Sequence, residues 1–110
     1  MSDDGLADDW QAGWLERAIG HEEHVRIARV LVRRHGREEA RVRLLRGTRR
    51  NCDARGVPER FDEALTRAWS ERVADAVETA DGATYADFIG LHPELRASDL
   101  LGRPEWLEGS

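Results

Sequence analysis

His21, His24, Asp62, Glu63 and Thr66 are the residues whose types and spacing could do chemistry. His21 and His24 stand three apart in a segment with helical periodicity, and residues three or four apart are neighbours on a helix surface, so both imidazoles can reach one ion or small molecule. The stripe at 21, 24, 28, 31 and 35 reads His, His, Ala, Leu, His. With Ala28 and Leu31 in its middle it should face the core, turning His21, His24 and, at its end, His35 inward while Arg26, Arg29, Arg33 and Arg34 fan toward water. Inward imidazoles need partners. On a later helix, Asp62, Thr66, Trp69 and Val73 share a face, which sets a carboxylate and a hydroxyl one turn apart on an otherwise apolar side. Glu63, rotated by about 100°, reaches either the same cavity or solvent.

Three readings of this set stand side by side. His21, His24 and Asp62 make a two-histidine, one-carboxylate group with open coordination positions, which suits a divalent metal such as zinc, iron or manganese. Without metal, His24 and Asp62 become a base and its orienter, Glu63 a further acid–base group and Thr66 an orienting hydroxyl, for proton transfer or elimination on a small polar substrate. The bland reading is structural. A histidine near a helix N-terminus pairs with a neighbouring carboxylate or backbone group, and the helix dipole alone favours Asp62 and Glu63 at a helix start. His35 reads as a dipole partner at a helix C-terminus, Cys52 as a small core residue and His92, before Pro93, as a loop residue.

The elements that must position these residues are all helices. Nothing alternates with period two over a useful length, and turn signals fall at Gly20, Gly36, Gly56 and Gly82. The expected fold is all-α, a compact single-domain bundle of about five helices. Residues 1–7 read as a mobile acidic tail and 8–110 as the helical domain. Asp8 or Asp9 caps a first helix to about Ile19, with Trp10, Trp14, Leu15 and Ala18 on one face. The second runs from His21 to the stop at Gly36, with Glu22 and Glu23 in its first turn and Arg33, Arg34 and His35 in its last. The third reaches Ala54 with Ala40, Leu44, Leu45, Thr48 and Cys52 inward, and Gly47 inside it permits a close crossing. The fourth, Glu59 to Glu78, carries Phe61, Leu65, Ala68, Trp69, Val73, Ala76 and Val77 and reads as the central element, anchored by Trp69. Thr84 starts a short fifth helix that His92-Pro93 ends, and Leu95, Leu100, Leu101, Trp106 and Leu107 suggest a C-terminal flap.

The chain's 110 residues suffice for one core. No apolar run approaches the ~20 residues that span a bilayer, the start is acidic, and Cys52 is the only cysteine, which together suggest a cytoplasmic protein without membrane contact. All seventeen basic residues are arginine, as a GC-rich genome would supply. Charge is segregated: residues 26–55 carry +8 and the remainder −13. Either the Arg-rich face of the second and third helices docks an acidic partner, or acidic segments fold back onto it, and the negative net charge favours the second. Nucleic acid is disfavoured by that charge and by the lack of a helix-turn-helix pattern. Four tryptophans in so short a chain leave a homodimer or protein partner open beside a small-molecule substrate.

Three stretches together carry a resemblance. His21-Glu22-Glu23-His24-Val25-Arg26-Ile27-Ala28, then Gly56 with Phe61-Asp62-Glu63-Ala64-Leu65-Thr66 and Trp69, then Asp87-Phe88 with His92-Pro93-Glu94-Leu95 resemble a group of small bacterial all-helical proteins without an established activity. The pattern of that group is His-x-x-His-(Leu/Val), Tyr-His-Glu-Thr-(Ile/Leu)-Thr, and a later Phe with Asn-Pro-(Asp/Glu)-Leu, and the match covers about residues 17–95. The resemblance implies a helical fold and a site at His21, His24, Glu63 and Thr66, and it names no reaction. Asp62 stands where the group has a third histidine and Ala64 where it has threonine, so a three-histidine site is excluded here while other metal sets stay open.

Overall fold

The computed structural model describes residues 2–13 and 19–97, and these form an all-α bundle. The helices are α1 (Asp3–Gln11), α2 (His21–His35), α3 (Arg37–Ala54), α4 (Glu63–Thr79) and α5 (Tyr85–Leu91), with 3-10 turns at Pro58–Arg60 and Pro93–Arg96. No strand occurs among the described residues, and no helix of them is long and apolar enough to cross a membrane.

The chain start is helical where a tail was expected. Ser2 is an N-cap whose Oγ accepts a hydrogen bond from the Gly5 N–H at 3.0 Å, and Asp3 and Asp4 in the first turn complement the positive end of the dipole. Leu6, Ala7 and Trp10 are buried, so α1 belongs to the core. Of the face expected to continue it, Trp14, Leu15 and Ala18 lie outside the described residues, as does the flap expected over Leu100, Leu101, Trp106 and Leu107.

The central element is α2 rather than α4. Val25 and every residue from Ile27 to Val32 are buried, and α2 packs against α1, α3, α4 and the 3-10 turn Pro93–Arg96. Burial of side chains such as Ile27 and Leu31 stabilises the fold by about 1.5–3 kcal/mol each. Between α2 and α3, Gly36 takes φ +84°, a left-handed conformation that side chains other than glycine resist. Gly47 permits the expected close crossing, since the six-membered ring of Trp10 lies directly against it.

Helix α4 starts at Glu63, four residues later than the periodicity suggested, because Pro58–Arg60 forms its own 3-10 turn. Its buried side is narrower than expected: Val73, Ala74 and Ala76 are buried, Leu65, Trp69 and Val77 are partly buried, and Ala68 is exposed. Thr84 Oγ1 caps α5 by accepting from the Asp87 N–H, and α5 then delivers the fully buried Phe88. Leu95, also fully buried, closes this end of the core from the last turn.

Candidate site between α2, α3 and α4

Three helices leave a cavity of about 260 Å³ between them. From α2 come His21, His24, Val25 and Ala28, from α3 Leu44 and Thr48, and from α4 Leu65, Thr66, Trp69 and Val73. The spacing on each helix accounts for this. Positions 21, 24, 25 and 28 make one face, 44 and 48 one turn of another, and 65, 66, 69 and 73 a third. The wall is therefore mostly hydrocarbon and aromatic ring, broken by two imidazoles and two hydroxyls.

The two histidines differ in their surroundings. Burial pushes His24 down from 6.5 to about 4, with nearby His21 reinforcing the shift, Glu23 opposing it and Arg55 reinforcing it more weakly. At neutral pH His24 is thus an uncharged imidazole, with one nitrogen lone pair and one N–H. His21 is held by the backbone: its Nε2–H donates to the Leu95 carbonyl at 2.7 Å. Its ring meets Trp69 edge-on at 4.7 Å between centroids. That bond fixes the orientation of the ring, with Nδ1 as its other nitrogen.

Asp62 and Glu63 do not join them. Asp62 is the N-cap of α4, its carboxylate accepting from the Leu65 N–H at 2.9 Å. Glu63 is exposed in the first turn, 3.7 Å from Arg67, so neither carboxylate lines the cavity. The expected acid–base set of His24, Asp62, Glu63 and Thr66 is therefore reduced to His24 and Thr66. The expected metal set of His21, His24 and Asp62 does not converge either, and no group of three or more His, Cys, Asp or Glu suited to a metal ion occurs among the described residues. The physical reason is the start of α4 at Glu63, which places Asp62 on the open N–H groups of its own helix. Zinc, iron and manganese thus lose the carboxylate that the sequence offered them, and one ring nitrogen of His21 is already committed to Leu95.

Thr48 and the Leu95 carbonyl are the parts that chemistry-led reading of the sequence missed. Thr48 follows Leu44 by one turn on the inward stripe of α3, a readable signal, whereas no spacing rule connects His21 to a carbonyl 74 positions away. Trp69 is a cavity wall rather than the buried anchor of the core. The other histidines lie elsewhere: His35 is exposed at the end of α2, and His92 Nε2–H donates to the Ala80 carbonyl at 2.7 Å, tying the end of α4 to the end of α5. Cys52 is buried and apart from the cavity.

Acidic side chains pair with the four arginines of α2 and with Arg37, Arg41 and Arg43 of α3. Arg26 pairs with Asp3 and Glu22, Arg34 with Asp4 and Asp8, and Arg33 with Asp81. Arg37 meets Glu71, Asp75 and Glu78 along one face of α4, and these carboxylates hold its guanidinium well above its ordinary pKa. Arg29 does not fan toward water at all. It is 3% exposed, paired with Asp81 at 2.8 Å and placed 5.3 Å from the Phe88 ring centre. Comparison of the chain with protein-family models, curated proteins and solved structures finds no match.

Proposed function

We propose that this protein binds a small organic molecule in the cavity between α2, α3 and α4, with His24 as the polar anchor and Trp69 as the aromatic wall. The observation that carries this reading is an uncharged imidazole in a largely apolar cavity of about 260 Å³. Ligand sites are typically apolar concavities with a few placed polar groups, and His24, Thr48 and Thr66 are such groups. A metal-dependent reaction lacks its carboxylate ligand, and docking through the arginine face competes with ion pairs already formed within the chain.

Acid–base catalysis by His24 is a second reading, favoured by the free-base form of its ring. Such a base is weak, because a group that titrates near 4 has little affinity for a proton at neutral pH. It would serve only a substrate that is already acidic, or one that raises the pKa of His24 on binding.

The test is to screen small uncharged fragments by NMR against the whole chain and against Ala28→Leu, which fills the cavity from α2. Binders should shift the signals of His24, Thr66 and Trp69, and Ala28→Leu should lose them while keeping its helical circular dichroism. A panel with no binders, or binders indifferent to Ala28→Leu, would refute the proposal.

A further inference from the structure

The chemistry of the lining narrows what the cavity can hold, an inference that rests on the binding role proposed above. No Asp, Glu, Lys or Arg lines it among the described residues. A ligand carrying a full charge would be buried there without a partner, which costs several kcal/mol. The polar groups present are also unbalanced. A neutral imidazole has one lone pair and one N–H, and a threonine hydroxyl two lone pairs and one O–H, so acceptors outnumber donors around His24, Thr48 and Thr66. The Nε2–H of His21 is already given to Leu95. Size sets the remaining limit. An apolar cavity of about 150 Å³ holds benzene, so 260 Å³ accommodates roughly ten non-hydrogen atoms. Trp69, met edge-on by His21, offers an indole surface on which a flat ring can lie.

We infer that the ligand is an uncharged, one- or two-ring aromatic molecule bearing a hydroxyl or ring N–H, which it donates to the lone pairs of His24 and Thr66. The apolar body of such a molecule replaces water against Leu44, Leu65 and Val73, and its single donor meets the acceptor surplus.

Three probes built on one naphthalene ring test the inference on the whole chain at pH 7.5, by calorimetry with NMR to locate the site: 2-naphthol, naphthalene and 2-naphthoate. The expected order is 2-naphthol about tenfold tighter than naphthalene, the difference one well-made hydrogen bond supplies, with 2-naphthoate weakest. His24→Leu and Thr66→Val should each narrow the ratio of the first two while naphthalene still binds. If His24→Leu does not fold, Thr66→Val and the order of the probes on the unaltered chain decide the matter. Equal binding of naphthol and naphthalene, or tightest binding of the anion, would overturn the ligand class and leave the binding role standing. Failure of all three to bind would also overturn the ligand class, while the fragment screen against Ala28→Leu decides the binding role.

Discussion

Gly47→Ala should destabilise this protein, although the same change in an open helix stabilises by about 1 kcal/mol. The reason is Trp10. A methyl group on Gly47 would lie 2.6 Å from both Cζ2 and Cζ3 of that ring, about 1 Å inside ordinary carbon–carbon contact. Trp10 is 2% exposed and packed in the core, so either its ring or α1 must shift to make room. Overpacking of this kind costs about 1–3 kcal/mol, and subtracting the helix gain leaves a net loss of about 1 kcal/mol. For a domain of this size that is about 4–8 °C in Tm. Urea unfolding followed by circular dichroism measures it, with an unchanged m-value showing that the surface exposed on unfolding is the same. Trp10→Leu provides the control, because without the indole Gly47→Ala should regain its stabilising sign. Equal or greater stability of Gly47→Ala in the parent, or the same effect in both backgrounds, would refute the packing argument.

His24 binds fewer protons folded than unfolded between pH 6.5 and about 4, so its contribution to stability is complete above pH 6.5 and is lost as pH falls toward 4. The loss is about 3 kcal/mol, and His24→Gln should flatten the stability profile across that window, as pH-dependent urea melts would show. Asp62→Ala should remove the cap of α4 at a cost of about 1 kcal/mol and leave naphthol binding unchanged, whereas a loss of binding with stability intact would return Asp62 to the site. Asp81→Ala should cost about 3 kcal/mol because it strands the buried Arg29, while Asp3→Ala, facing the more exposed Arg26, should cost less than about 1 kcal/mol; equal losses in thermal melts would contradict this.

The bundle was legible wherever local signals agreed. Gly36 ends α2 because its backbone must turn left-handed, and the acids at its start and bases at its end mark both limits of the helix. Ser2-Asp3-Asp4 was an equally readable cap and acidic first turn, obscured only by its place at the chain start. His21, His24 and Thr66 were placed together from spacing within two helices. Asp62 was not, because a carboxylate at a helix start has two uses, and the choice depends on where Pro58–Arg60 delivers the chain. Arg29 was misplaced for a related reason. Its long side chain lies among buried residues and its charge is met by Asp81, 52 positions away, and helical periodicity carries no information about so distant a partner.

The hydrogen bond from His21 to Leu95 joins the first residue of the central helix to the last described turn of the chain. The same imidazole stands between two hollows, the one it shares with Trp69 and a second bounded by Tyr85, Ile89 and Leu95. If the turn Pro93–Arg96 lifts away, the ring loses its anchor and the edge-on contact with Trp69 loosens with it. Lifting of that turn would therefore loosen a wall of both hollows at once, and an occupant pressed against His21 would slow amide exchange at Leu95 without touching it.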